Sequence, residues 1–203
     1  MSERWVPLDV ADVDPNPFAQ FQRWFDEARG EMPEREAIAL VTASLEGAPS
    51  ARMVLLRFHD GTSFGWYSNY DSRKGHELEE NPRAALLWYC EPLGRQIRIE
   101  GSVQRMTPAE SDAYFDGRPR GSQIGAHASH QSQPLASRSE LEQRVAVVDE
   151  QFQGREVPRP ENWGGFRLTP DRFEFWQHRD DRLHDRVVYL PDGPLWRRER
   201  QSP

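Results

Sequence analysis

Apolar residues recur along the chain at two different spacings, and the spacing separates helix from strand. After a polar opening that carries Pro7 and Pro15, Asn16 precedes Pro17, and Phe18, Phe21, Phe25 and Ala28 follow at three- and four-residue intervals. An asparagine N-cap, a proline at the first helical position and an apolar stripe of that period predict a helix. Beyond residue 36 the spacing becomes two. Segments 37–44, 50–58, 63–69, 83–90 and 96–106 read as strands, separated by turn residues such as Glu46-Gly47 and Asp60-Gly61. Segment 84–89 is almost wholly apolar, as expected of a central strand. Arg95-Gln96-Ile97-Arg98-Ile99-Glu100 alternates, so one face meets a core and the other a polar region.

Capping signals place further helices. Ser72 can cap a short helix through Arg73 and Lys74, and Thr107-Pro108-Ala109-Glu110 is a capping box with proline at the first position. Ser139 and Glu142 open another, with Leu141, Val145, Val148 and Phe152 expected inward. Residues 117–137, rich in Gly, Ser, Gln, His and Pro, read as a functional loop with about one helical turn. Strands at 165–168, 172–177, 185–190 and 195–198 close the chain. No internal repeat is visible. Strands dominate and few helices separate them, which predicts a mainly β protein with flanking helices, an antiparallel barrel rather than a doubly wound sheet. The expected organisation is an N-terminal arm, 1–15, and one domain, 16–203.

Composition narrows the function. The 203 residues suffice for one cored domain, and no apolar run approaches the length of a membrane span. The start, Met1-Ser2-Glu3-Arg4-Trp5, has no apolar signal region, and Cys90 is the single cysteine; both fit a reducing, cytoplasmic setting without membrane attachment. No Cys/His spacing suggests a metal. A formal charge of −7 argues against nucleic acid as a partner. Seven Trp, ten Phe and five Tyr suit a flat aromatic ligand or a buried subunit interface.

Against that acidic background the local cations stand out. Of 26 Lys and Arg residues only Lys74 is lysine. A lone lysine beside a helix N-terminus suits a phosphate; the bland alternative is chance survival in an arginine-biased chain. Arg182, His184 and Arg186 fall at period two, so on a strand they share one face, where an anion relieves their repulsion. A solvated strand face is the alternative there.

The ordered set is more specific than any member. Arg52-Met53-Val54-Leu55-Leu56-Arg57, Tyr67-Ser68-Asn69, Ser72-Arg73-Lys74, Asn81-Pro82-Arg83, Gln96, Arg118-Pro119-Arg120-Gly121-Ser122-Gln123-Ile124-Gly125, Gln131-Ser132, Trp163-Gly164-Gly165-Phe166, Glu174-Phe175-Trp176 and Arg182-Leu183-His184-Asp185-Arg186 occur in order. From about residue 14 to residue 198 the chain resembles the pyridoxamine 5′-phosphate oxidases. The resemblance implies an FMN-binding split β-barrel and a homodimer with FMN in clefts between the subunits. It implies oxidation of pyridoxine or pyridoxamine 5′-phosphate to pyridoxal 5′-phosphate. Dioxygen is then reduced to hydrogen peroxide, and the amine substrate also releases ammonia.

By the same resemblance, FMN contacts fall on Arg52, Met53, Val54, Leu55, Leu56, Arg57, Tyr67, Ser68, Arg73, Lys74, Gln96, Gln131, Ser132, Trp176 and Arg186. The substrate phosphate meets Arg57, Tyr114, Arg118 and Ser122. Arg182 and His184, the expected catalytic pair, approach the pyridine ring; His184 is a candidate to assist the departing proton. The chain departs from the family in three places. Arg57 stands where lysine is usual. The arm lacks the usual covering segment, for which Arg4 and Trp5 are the available residues. The ending, from Trp196 to Pro203, is atypical. Two other readings remain open: a same-fold flavin oxidase recruited to another aromatic substrate, as in phenazine biosynthesis, and a carrier of flavin or pyridoxal phosphate without turnover.

Overall fold

The longest strand organises the rest. In the computed structural model, which describes residues 5–203, nine strands of the described residues form one antiparallel sheet. They are β1 (Ala37–Ala43), β2 (Pro49–Leu55), β3 (Phe58–His59), β4 (Phe64–Asn69), β5 (Arg83–Cys90), β6 (Arg95–Arg105), β7 (Trp163–Gln177), β8 (Asp185–Asp192) and β9 (Leu195–Arg200). The order is β2-β1-β5-β6-β7-β4-β3, and β8 and β9 branch from β7. Residues 163–168 of β7 pair with β4, residues 173–177 pair with β8, and β6 runs along both halves. That division curls the sheet into a half-barrel around Phe64, Trp66, Leu86, Trp88, Ile97, Phe173 and Phe175, all buried.

Two strands expected in 165–177 are therefore one. Pro170 does not break it, because it sits where the β6–β7 register shifts beyond Glu100, and a bulge is where a strand tolerates a missing donor. Gly101 makes the close approach possible: a Cβ there would lie 2.2 Å from the Thr169 carbonyl oxygen. The expected strand 50–58 is instead two pieces, because Leu56 turns into the core and is 4% exposed. Strand β5 is central, but only alternate residues are buried; Tyr89 on its other face is 49% exposed.

Among the described residues five α-helices flank the sheet: α1 (Pro17–Glu27), α2 (Arg73–Glu80), α3 (Pro108–Asp116), α4 (Arg120–Ala128) and α5 (Arg138–Gln151). The Asn16 and Ser72 caps and the Thr107–Glu110 capping box form as their sequences dictate. Helix α1 lays Phe18, Phe21, Trp24 and Phe25 on the barrel.

Two readings need correction. Residues 117–137 hold a nine-residue helix, α4, because Ile124 has a second small core to bury into, with Phe115, Val157 and Trp163, and Ala126 packs against it. Helix α5 is capped by Ser137, not Ser139, and no residue of it is buried. Only Val148, with Phe152 just beyond the helix, packs on that small core, while Val145 is 37% exposed. The arm is docked through its apolar residues: Leu8 and Val13 join the main core. The Leu8 amide donates to Asp185 (3.0 Å), and Tyr189 donates its hydroxyl to the Asp14 carbonyl (2.7 Å).

Candidate active site

The β2 edge, β4, the start of α2, the α3–α4 junction and the loop after α4 enclose a cleft of about 780 Å³. Arg52, Arg57, Arg73, Lys74 and Arg118 line it, and among the described residues no carboxylate does. In a chain of net charge −7, that concentration of cations marks an anion site.

Lys74 lies on the first turn of α2, which packs tightly: a Cβ on Gly75 would lie 1.9 Å from the Tyr70 carbonyl oxygen. The side chain is 8% exposed. Its ammonium donates to Gln131 Oε1 (2.6 Å), Ser68 Oγ (3.0 Å) and Ser72 Oγ (3.2 Å). Burial, then the charge of Arg52, push its pKa down to about 8, against the pull of Glu77. Ser132, beside Gln131, has φ 70, backbone strain of the kind that functional sites hold. A buried cation, two serine hydroxyls with a carboxamide beside it, and a helix N-terminus are a fit for a phosphate dianion.

Further along the cleft, Tyr67 and Tyr114 stack with centroids 3.7 Å apart, and Trp163 continues the stack 5.6 Å from Tyr67. The Arg118 guanidinium lies 4.4 Å over the Trp163 ring. Its Nη1 is buried without a hydrogen-bond partner, and burial with the nearby charge of Arg57 disfavours its cationic form. A buried cationic donor without an acceptor is costly, so this position is built for an anion too. Ser122 lines the same region.

The cleft thus gathers Arg52, Met53, Val54, Leu55, Arg57, Tyr67, Ser68, Arg73, Lys74, Tyr114, Arg118, Ser122, Gln131 and Ser132. Leu56 does not line it; its side chain is in the core. Gln96, Trp176, Arg182, His184 and Arg186 do not line it either. They form a second group. Gln96, Trp176 and Arg186 are direct register partners across β6, β7 and β8, so they make a row on the sheet's outer face.

Here the period-two reading fails. Arg182 ends a 3-10 turn (Asp180–Arg182) at φ 61, and the strand begins only at Asp185, so Arg182 and His184 do not share a strand face with Arg186. Nor does Arg186 lack a counter-ion: its Nε and Nη2 donate to buried Glu174, both at 2.9 Å. His184 and Arg182 instead line a separate hollow with Trp176 and His178. The His184 ring lies 4.5 Å from Trp176 and 5.1 Å from His178. Its Nδ1 accepts the Arg179 amide (3.1 Å), so in the neutral ring Nε2 carries the proton. Burial, then the charges of His178 and Arg182, lower its pKa and favour that neutral form. Trp5 touches His178, centroids 5.4 Å apart; Arg4 lies outside the described residues.

Sequence reasoning missed Trp163 as a wall of the cleft, His178, and Glu77 beneath the cations. Trp163 was visible only as part of a motif; Glu77 stood three residues past Lys74, at the end of the same segment, and was given no role.

A family model described as pyridoxamine 5′-phosphate oxidase matches residues 25–152. The chain belongs to that family. A second model, described as the pyridoxine 5′-phosphate oxidase C-terminal dimerisation region, matches residues 163–203 and supports a homodimer. A pyridoxine/pyridoxamine 5′-phosphate oxidase of Rubrobacter xylanophilus is 54% identical over 192 residues, covering 94% of this chain and 88% of its own. Its namesake from Paraburkholderia phymatum is 52% identical over 198 residues, covering 97% and 93%. Among solved structures, PhzG from Burkholderia lata 383 in complex with tetrahydrophenazine-1-carboxylic acid matches with a TM-score of 0.90 and 32% identity, over 98% of this chain and all of that one. A pyridoxamine 5′-phosphate oxidase-related, FMN-binding protein of Nostoc punctiforme shares the split-barrel fold, at a TM-score of 0.72 and 17% identity over 95% and 99%.

Proposed function

We propose that this protein oxidises pyridoxine 5′-phosphate or pyridoxamine 5′-phosphate to pyridoxal 5′-phosphate, with FMN as its cofactor and dioxygen as acceptor. Dioxygen leaves as hydrogen peroxide; the amine substrate also takes up water and releases ammonia. FMN, when bound, supplies the two-electron acceptor, and the protein binds and orients. The observation that carries the reading is the buried, unpartnered Arg118 Nη1 in the same cleft as buried Lys74. One cleft then offers two anion sites, as a phosphorylated cofactor and a phosphorylated substrate require.

In this reading Arg73, Lys74 and Ser132 take the FMN phosphate, with Arg52, Met53, Val54, Leu55, Arg57, Tyr67, Ser68 and Gln131 as its other contacts from the same chain. Arg57, Arg118, Tyr114 and Ser122 take the substrate phosphate. Residues 16–203 act as one flavin-binding domain with the arm strapped to it. The second group is supplied across a homodimer interface: the partner subunit's Gln96, Trp176 and Arg186 reach the flavin, and the partner subunit's Arg182 and His184 reach the substrate ring. His184 offers Nε2–H as a donor. The outer face of β2, β1 and β5 supports burial against a second copy, since Met53 is 63% and Tyr89 49% exposed there. Buried Cys90 fits a reducing, cytoplasmic setting.

The test is Arg118→Ala. It should leave the bound-flavin spectrum intact and lower kcat/KM for pyridoxine 5′-phosphate by about 2–5 kcal/mol, roughly 30- to 5,000-fold. Product and peroxide formation are followed together. The second reading, a phenazine-type oxidase, rests on the PhzG match. It gains if the unsubstituted protein oxidises pyridoxine and its phosphate equally well.

A further inference from the structure

The deepest charged group beside the cleft has no part in the reading above. Glu77 lies one turn into α2 and is 5% exposed. Its Oε1 accepts from Arg73 Nε at 2.8 Å. Its Oε2 accepts from Thr42 Oγ1 and Ser50 Oγ, both at 2.5 Å, and lies 3.4 Å from Arg52 Nη2. Arg52 is held from the other side as well: Nη1 donates to Thr42 Oγ1 (2.6 Å) and the Leu40 carbonyl (3.3 Å), and Nη2 donates to Ser50 Oγ. One carboxylate therefore ties β1, β2 and α2 together under the cleft. Strand β2 needs such a tie, because it is the end of the sheet path and none of its residues is buried.

We propose that Glu77 is the positioning residue of the cofactor-phosphate site: it holds Arg52, Arg73 and Ser50 in their binding places and offsets their charge until the phosphate arrives. The inference rests on the reading of the cleft as an FMN site. Without a carboxylate there, Arg52, Arg73 and Lys74 are like charges in a shared cleft with nothing between them. Burial alone would raise the Glu77 pKa, but hydrogen bonds from Ser50, Thr42 and Arg73 and the charge of Arg52 outweigh it and hold the group at about 2. Glu77 is thus anionic at any working pH, and among the charged groups acting on Lys74 it is the one that favours the ammonium form, against Arg52.

The test compares apoproteins of the unsubstituted chain, Glu77→Gln and Thr42→Val, each titrated with FMN and with riboflavin between pH 6 and 9. Glutamine keeps the shape and loses the charge. Valine keeps the shape of Thr42, which does not line the cleft, and removes one donor to Glu77 and one acceptor from Arg52. Glu77→Gln should weaken FMN about 10- to 100-fold, as loss of one partner in a buried charged pair does, and leave riboflavin affinity unchanged. The pH above which FMN affinity falls should move down from about 8. Thr42→Val should weaken FMN about three- to tenfold, less than Glu77→Gln because the carboxylate charge stays while two hydrogen bonds around it are lost, and it decides the matter if Glu77→Gln does not fold. A merely structural role predicts that FMN and riboflavin fall together with no movement along pH, and that result overturns the proposal, as does unchanged or tighter FMN binding in the folded variants. If the unsubstituted apoprotein binds FMN no tighter than riboflavin, the cofactor reading itself fails and takes this inference with it.

Discussion

Lys74 concentrates the physics of the cleft in one side chain. Its ammonium is buried with all three N–H donors on oxygen acceptors, one of which a bound phosphate would replace, and its pKa sits near 8. The sign of the pH dependence follows. A lysine with a depressed folded-state pKa is charged below that value and neutral above it, so the free protein holds its phosphate-binding charge below pH 8 and loses it above. FMN affinity of the apoprotein should level off by about pH 7, once the phosphate is dianionic, and fall above about 8, by at most tenfold per pH unit. Titrations across that range check it; affinity that stays flat to pH 9.5 removes the lysine from the phosphate site. Lys74→Ala should cost about 1.5–3 kcal/mol of FMN binding, the worth of a hydrogen bond to a charged group. Lys74→Arg should also bind less well, because a planar fork does not fit a pocket shaped around one ammonium. Lys74 was legible from sequence because it is the one lysine of the chain. Arg118 was legible only through its neighbours in a motif, since its unpartnered nitrogen is a product of burial against Trp163.

At the scale of elements, two contacts hold the site in place. Helix α2 can bring Lys74 to the cleft only because residue 75 has no side chain. Gly75→Ala would set a Cβ 1.9 Å from the Tyr70 carbonyl oxygen, and a rigid backbone atom cannot give way cheaply. The expected result is a loss of about 1–3 kcal/mol of stability with a parallel loss of FMN affinity, measured by thermal melts and by titration; a variant as stable and as tight as the parent would show that the helix shifts freely. The arm makes the second contact. Leu8 and Val13 are buried against the main core, and Leu8, Asp9, Val13 and Asp14 hydrogen bond to Asp185, Tyr189, Arg198 and Arg200 of β8 and β9. Leu8→Ala should destabilise by about 2–5 kcal/mol, while Asp9→Ala at the exposed ion pair with Arg200 should leave the melting temperature nearly unchanged. The caps at Asn16, Ser72 and Thr107 were readable because each is a local exchange between a few residues, while that of α5 fell on Ser137 rather than Ser139. The extent of α4 was not readable, because its Ile124 and Ala126 pack into a cluster brought in from residues 157 and 163.

The whole molecule divides the expected site residues between a cleft and a row on the opposite part of the sheet. A homodimer that joins the two should sediment at about twice 23.6 kDa at micromolar concentration and bury well over roughly 2,000 Å². Mixing gives a sharper check. Take Lys74→Ala, which damages the cleft group, and Trp176→Ala, which damages the row. Each pure dimer has two damaged sites. After denaturation and refolding together, every mixed dimer should carry one intact site, built from the cleft of one subunit and the row of the other, so FMN binding and oxidase activity reappear. No recovery on mixing, with mixed dimers verified by mass, would mean that each site lies within one chain.

The strands, the helix caps and the family resemblance were all present in the order of residues, since alternation, capping and motif spacing are properties of neighbours along the chain. The side to which each candidate belongs was not. Gln96, Trp176 and Arg186 look unrelated in sequence, yet strand register sets them side by side. Arg182, His184 and Arg186 look like one face, yet a turn at positive φ and the buried carboxylate of Glu174 separate them. Period-two spacing fixes a face only where the backbone is extended, and a charge has a free role only where folding has not already given it a partner. Both conditions are set by long-range packing, which is why Arg186, Glu77 and the orphaned nitrogen of Arg118 acquired their parts only in the folded chain.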